Sequence, residues 1–386
     1  TDIIRIWKPD LKNFGEIKQA CFSPDGSLIL GISFSTTKIF DRTGNIKTSM
    51  FNDNTRKVFG QISPGNNYAI IVDNSFRATI WDIIKEKEIK SFKISGPVKK
   101  AMSFSYDGKY LAVLSGGHKA KVLSLKNSSR DASDIELTGH SGNILCIDFS
   151  PANHFIVTAS QDSTAIIWKF NPEKSSAEQF SVLKGHTGAV NSAKFSPDGY
   201  YILTASDDST VRIWNLNGGQ TYASNDYLDH GGEPVENRMK FDYAEFSKKA
   251  THIKVIKYVL DIIPLTNPIT LQQQKQEREL NKQNIWIFTQ GAAANPFFEK
   301  DLKTNATPDI SKDGTMIVYL KEPESQLITS EKKEVMSLKG LSPKFSPDGK
   351  YLMTISDEQL KLYPITADEV LRLVREEKVF GNIRGF

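Results

Sequence analysis

Two cysteines in 386 residues leave no disulfide framework to build on. Cys21 and Cys146 both sit in apolar, strand-like runs, which suits two buried free thiols and a reducing, cytoplasmic home rather than a disulfide or a metal pair. No apolar run approaches the roughly 18 residues needed to span a membrane as a helix. The opening residues, TDIIRIWKPD, hold neither a basic leader nor an apolar signal core, and no initiating Met, so the chain is expected to be a fragment or a processed product. His-x-x-x-His, Cys-x-x-Cys, GxSxG, GxGxxG and phosphate-loop patterns are all missing, so no metal site, no cofactor and no catalytic residue is expected. Charge is not concentrated either: 49 basic and 45 acidic residues are interspersed for a net charge of +4. The densest basic stretch, Lys85, Lys87, Lys90, Lys93, Lys99 and Lys100, lacks an arginine cluster or a stacked aromatic platform. It reads as a solvated outer strand and not as a nucleic-acid footprint.

What the chain has is a repeat. LTGHSGNILCIDFSPANHFIVTASQDSTAIIWKF and LKGHTGAVNSAKFSPDGYYILTASDDSTVRIWNL align without a gap, with Phe149 and Phe195, Trp168 and Trp214, and His140 and His186 each 46 apart. Weaker copies share one landmark, an apolar strand ending in Ser before a turn, at Ser23, Ser63, Ser105, Ser150, Ser196, Ser247, Ser311 and Ser346. Within the fifth copy, Val190 to Phe195 alternates as a first strand. Ser196-Pro197-Asp198-Gly199 forms a turn whose Pro and Gly preset the backbone. Tyr201 to Ser206 is a nearly continuous apolar strand, as expected where neighbours cover both faces. Asp207-Asp208-Ser209 turns the chain into a third strand, Val211 to Leu216, and a more polar fourth follows. Four short strands per copy and no helical crossover exclude an α/β fold and predict antiparallel blades, an arrangement that protects sheet edges.

At these residues the chain resembles the WD-repeat family. The Gly139-His140 and Gly185-His186 pairs carry the resemblance, with the FSPDG turns at 22–26, 195–199 and 345–349, the Trp81-Asp82 dipeptide, and the Ser160-Gln161-Asp162 and Ser206-Asp207-Asp208 turns. It implies an all-β, closed β-propeller of four-stranded blades: eight, or seven if residues 241–340 make one irregular blade. The family's structural hydrogen-bond tetrad carries over twice, as His140, Thr158, Asp162 and Trp168, and as His186, Thr204, Asp208 and Trp214. Elsewhere the pattern fails. Phe40, Leu123 and Tyr363 stand where Trp is expected, and Leu341 stands for a His, so those blades are expected to rely on packing. The sixth copy keeps His230 and Trp286 around an insertion at 260–282.

The propeller is expected to occupy residues 1–365, with an N-terminal strand (Ile3–Trp7 or Leu11–Ile17) completing the last blade. A C-terminal helix and tail, 366–386, is expected to dock on it, opened by the capping box Thr366-Ala367-Asp368-Glu369. Binding, not catalysis, is the expected role. Family partners dock on the face formed by the turns between second and third strands and by the connections between blades. The candidate contacts there are Phe34, Phe76, His118, Gln161 and Asp207. The opposite face, made of FSPDG-type turns, is expected to be poor in apolar surface. The expected partner is a protein or peptide, with no nucleic acid and no membrane, and the propeller is expected to be monomeric. Three roles remain open: a sensor or regulatory module of a larger signalling protein, a stand-alone scaffold, and, least favoured, a hydrolase using the channel. The tail ADEVLRLVREEKVFGNIRGF is similar to the ends of large bacterial multidomain WD-repeat proteins, which favours the first.

Overall fold

The structure is a computed structural model that describes residues 17–34, 36–52, 55–125, 134–223, 239–246, 253–259, 283–287, 298–302, 309–311, 316–321, 324–329, 334–356 and 359–366. The expected N-terminal strand before Ile17, the insertion 260–282, His230 and the expected helix after Thr366 lie outside these residues. Two compact units divide the chain, one of Thr1–Ile62 with Ala306–Phe386 and one of Ser63–Asn305. Among the described residues, thirty-one strands fall into eight sheets, seven of four strands and the last of three, and there is no helix. Each sheet uses strands consecutive in sequence, so every connection is local and the sheets are simple antiparallel meanders.

The fifth sheet shows how the sequence does this. Its strands are Val190–Phe195, Tyr201–Ser206, Val211–Asn215 and Gln220–Ala223. The second strand is buried at every position after Tyr201, as its unbroken apolar run requires. In the turn before it, Gly199 takes a φ of +77°, which a side chain would resist.

The landmark serines have a shared physical reason. Each hydroxyl accepts the N–H of the residue five positions on, which opens or immediately precedes the second strand. The seven pairs are Ser23 with Leu28, Ser63 with Tyr68, Ser105 with Tyr110, Ser150 with Phe155, Ser196 with Tyr201, Ser311 with Met316, and Ser346 with Tyr351, all at 2.9–3.0 Å. All seven serines are buried. A small side chain that both fits and accepts is what this site needs, since a buried N–H left unpaired is costly.

In the first unit, the sheet of residues 19–52 packs on the three-stranded sheet of residues 341–364. Ile17, Ala20, Ile29, Phe40, Tyr351, Met353, Leu360 and Leu362 form the core between them. Arg42 fastens the two at the surface: its Nη2 lies 2.8 Å from Asp348 Oδ2, and its guanidinium stands 5.6 Å above the Tyr351 ring. Segments some three hundred residues apart in sequence are thus neighbours. A second core, of Val318, Leu327, Leu338, Phe345, Leu352 and Tyr363, joins the seventh and eighth sheets.

In the second unit, the fourth and fifth sheets share a core that includes Cys146, Val157, Ile167, Val190, Phe195, Ile202 and Trp214. One polar device stitches first strands together. Asp148 accepts from Lys194 Nζ at 2.9 Å and from the Phe195 N–H at 3.1 Å. The first unit repeats it: Asp309 accepts from the Phe345 N–H at 2.8 Å and lies 3.6 Å from Lys344 Nζ.

Candidate functional site

The two tetrads assemble as complete chains of hydrogen bonds. Trp168 Nε1–H donates to Thr158 Oγ1 at 2.9 Å, Thr158 Oγ1 lies 2.8 Å from His140 Nε2, and His140 Nδ1 lies 2.8 Å from Asp162 Oδ2. The corresponding distances for Trp214, Thr204, His186 and Asp208 are 2.8, 2.7 and 2.7 Å. A carboxylate can only accept, so each imidazole carries its proton on Nδ1, and Nε2 accepts from the threonine hydroxyl. Burial lowers the pKa of both histidines more than the neighbouring carboxylates raise it, which favours the neutral ring. Burial alone would raise Asp162, but hydrogen bonds from Thr164, His140 and the Ser141 N–H overcome it and hold the carboxyl at about 2. Asp208 is lowered in the same way, with His186, Thr210 and the Thr187 N–H as donors. Every polar group in these chains has a partner. They pin a turn to its sheet and leave no free acid or base.

The other copies solve the same position differently. Phe40 and Leu123 are buried and apolar, as packing demands. Tyr363 is not simply packed: it hydrogen-bonds Thr354, which occupies the tetrad's threonine place. The expected equivalence of Leu341 with a tetrad histidine is wrong. Leu341 lies inside the strand Leu341–Phe345, in register with Ile355, and Gly340 alone separates it from the preceding strand. Gly340 has a φ of +125°, and a Cβ there would meet the Ile355 carbonyl at 2.7 Å, so this tight connection needs glycine and has no room for a Gly-His loop.

Neither thiol is poised for reaction. Both cysteines are free; Cys146 is fully buried, and burial pushes the Cys21 thiol up to about 12 while its Sγ–H donates to the Gly60 carbonyl. Among the described residues, no group of three His, Cys, Asp or Glu could hold a metal ion, and no helix is long and apolar enough to cross a membrane.

The five candidate contacts are not equivalent. Phe34 belongs to the first unit; it is 55% exposed and its carbonyl accepts the Lys57 N–H at 3.3 Å. The other four belong to the second unit. Phe76 is 50% exposed in the turn between Tyr68–Asp73 and Arg77–Asp82. His118 and Gln161 are exposed in the matching turns of the next two sheets. A line of backbone hydrogen bonds connects these three turns. Ile94 N–H donates to Phe76 O at 3.0 Å, Ser95 N–H to Leu114 O at 3.4 Å, Ile144 N–H to Gly117 O at 2.9 Å, and Gln161 N–H to Asn143 O at 2.9 Å. Asp207 is half-buried and engaged within its own sheet, where Asn191 Nδ2 donates to it at 2.6 Å.

Phe76 also has an unusual backbone, with φ at +60°. Ser163 and Ser209, which likewise stand five residues before the tryptophan of their copies, both have φ at +66°. The turn imposes a left-handed residue, which small polar side chains tolerate and a bulky one resists.

The expectation that the opposite face is poor in apolar surface does not hold. Ile84, Tyr106 and Tyr200 are 73%, 54% and 68% exposed in the turns of that side. Tyr106 replaces the proline of the Ser-Pro-Asp-Gly turn, and Tyr200 directly follows its glycine, so neither is visible in the turn motif itself.

Comparison with known proteins agrees with this architecture. The family model described as WD domain, G-beta repeat matches residues 133–169 and 177–215, the two copies with complete tetrads. A curated relative, the periodic tryptophan protein 2 homolog of Schizosaccharomyces pombe, is 27% identical over 158 residues, covering 39% of this chain and 18% of the relative. The WD repeat-containing protein 26 homolog of Arabidopsis thaliana is 26% identical over 156 residues, covering 40% of this chain and 26% of the relative. The chain therefore aligns with only 18–26% of the length of these relatives. Among solved structures, the C-terminal WD40 domain of Sif2 superposes with a TM-score of 0.51 at 13% identity, over 91% of this chain and 82% of that one. The chain carries WD40 repeats, and its fold is that of a WD40 β-propeller.

Proposed function

We propose that this chain is a non-catalytic propeller that binds a protein or peptide, serving as the sensor or regulatory module of a larger signalling protein. WD40 propellers in general mediate protein–protein interaction. The observation that carries the reading for this chain is Phe76, a half-exposed aromatic in a left-handed turn that two sister sheets fill with serine. Its place costs the fold strain and exposed apolar surface, and a rigid turn holding an aromatic loses little entropy on binding. In the second unit the binding face is the side bearing Phe76, His118 and Gln161, with Asp207 further along, and in the first unit the candidate contact is Phe34. Eight sheets among the described residues fit a propeller of eight blades. Two unpaired cysteines fit a reducing, cytoplasmic setting.

The test is affinity capture with the intact chain and its Phe34→Ser, Phe76→Ser and Tyr200→Ser variants. Loss of a captured protein in the two phenylalanine variants, with retention in the tyrosine one, is expected. The reverse pattern would move the binding face to the opposite turns.

A further inference from the structure

Resting on the binding face proposed above, we infer that the Phe76 corner receives an acidic peptide segment carrying an apolar side chain. Among the described residues, two cations beside Phe76 have no ion pair, and Arg77 reaches the Glu88 carboxylate only through the Ser91 hydroxyl. Arg77 and Lys93 stand directly opposite one another in adjacent strands, and both are exposed. Arg77 Nη2 donates to the Ser91 hydroxyl, and no carboxylate lies within ion-pair distance of either cation among the described residues. Like charges directly opposite across a strand pair destabilise a sheet.

Lys119 is exposed beside His118, where its Nζ lies 3.8 Å from Glu136. The carboxylate of this corner, Asp73, is buried and turned inward, its Oδ1 accepting from the N–H groups of Ser75 and Arg77 and from the Ser75 hydroxyl. Further out on these sheets, Lys90 pairs with Asp134, and Lys121 with Asp134 and Glu136. Arg77 and Lys93, beside the exposed Phe76, are therefore the cations of this corner that stand without an ion pair among the described residues.

Three costs coincide there: a left-handed phenylalanine, exposed apolar surface, and opposed cations. One occupant relieves the last two together, a chain that lays a carboxylate between Arg77 and Lys93 and an apolar side chain on the Phe76 ring. Arg and an aromatic are also the residue types that dominate binding energy at interfaces. A nucleic acid fits less well, because it needs a series of stacking aromatics along a basic track, and the corner offers one ring.

The experiment is selection of a random twelve-residue peptide library on the intact chain, in parallel with Phe76→Ser and the double variant Arg77→Glu/Lys93→Glu. Enrichment of Asp and Glu around an apolar residue is expected. The enriched peptide should bind each variant at least about tenfold more weakly, and its affinity should fall with added salt. Thermal melts check folding, and Lys93→Glu alone, which turns opposed cations into an attractive pair, is expected to fold at least as well as the parent.

Enriched peptides without acidic residues that still lose affinity in Phe76→Ser would overturn the charge inference and leave the binding face standing. Peptides indifferent to Phe76→Ser would sink both, as would a library that yields no binder. Tighter binding of a labelled single-stranded oligonucleotide than of the enriched peptide would assign the corner to nucleic acid and overturn the inference.

Discussion

Replacing Phe76 with serine should leave the protein almost as stable as before, whereas the same change at Phe40 should cripple it. Phe40 is fully buried in the core between the first and eighth sheets. Truncating a buried phenylalanine costs about 3–5 kcal/mol, and the serine hydroxyl adds a desolvation penalty. Phe76 is 50% exposed, so half of the burial value of a phenylalanine, about 1 kcal/mol, is at stake. Against that loss stands its φ of +60°. A bulky residue in the left-handed region carries a penalty of about 1–2 kcal/mol, part of which a small polar residue escapes. Ser163 and Ser209 hold the same turn geometry, so serine is already a native solution. The net change for Phe76→Ser is therefore within about 1 kcal/mol of zero, of either sign. Urea denaturation of the two variants beside the parent measures both. A loss above about 2 kcal/mol for Phe76→Ser would make it a core residue and remove the reason to regard it as a contact.

Trp168→Phe and Trp214→Phe should each cost roughly 1–3 kcal/mol, because each removes packing and leaves a buried threonine hydroxyl short of a donor; unchanged urea midpoints would refute the tetrad energetics. Acidification should destabilise the fold in two stages. The histidine pKa values are lowered by burial, so the unfolded chain binds protons first and stability falls below about pH 6.5. Asp162 titrates at about 2 against an ordinary 3.8, so a further loss follows between about pH 4 and about pH 2; a midpoint constant from about pH 7 to about pH 3 would contradict both assignments. Arg42→Ala and Asp348→Ala in a double-mutant cycle should show a coupling of about 0.5–1 kcal/mol, modest because both groups are partly exposed; zero coupling would mean that apolar packing alone joins the first and eighth sheets. Asp148→Ala should cost more than Lys194→Met, by about 1 kcal/mol, since it also leaves the Phe195 N–H without its acceptor, and equal losses would show that the backbone bond contributes nothing.

The fold was legible where the repeat is strict. In the fourth and fifth copies, tetrad residues, turn glycines and apolar runs all prescribe one backbone, and strand boundaries follow within a residue or so. The landmark serine extended that reading to weak copies for a reason the pattern did not reveal: seven of these buried hydroxyls accept the N–H five residues on. Leu341 does not take a histidine's place because Gly340 closes that connection in one residue, a length the Gly-His pairs of the strict copies do not foreshadow. The Asp148–Lys194 and Asp309–Lys344 stitches were missed because their partners lie in successive copies. The signal was available, since each of these residues directly precedes the residue before its landmark serine, a position where an acid in one copy faces a lysine in the next.

The candidate site was harder, and the reason is physical. A residue that packs or caps is constrained by its own copy, so comparing copies exposes it. A residue that binds something else is constrained by nothing inside the chain, and the repeat can reveal it only as a departure. Phe76 was visible in that way, as an aromatic where sister turns have serine, but its left-handed backbone, and hence the cost of keeping it, required the structure. Tyr106 and Tyr200 are departures too, yet they are less clearly functional: Tyr106 occupies an ordinary turn position, and no positive φ is recorded for either. Exposure alone therefore does not separate the two faces, for both carry exposed aromatics. What separates them is that at Phe76 exposure, backbone strain and unneutralised charge fall on adjacent residues of a single turn, a coincidence that stability alone gives the fold no reason to keep.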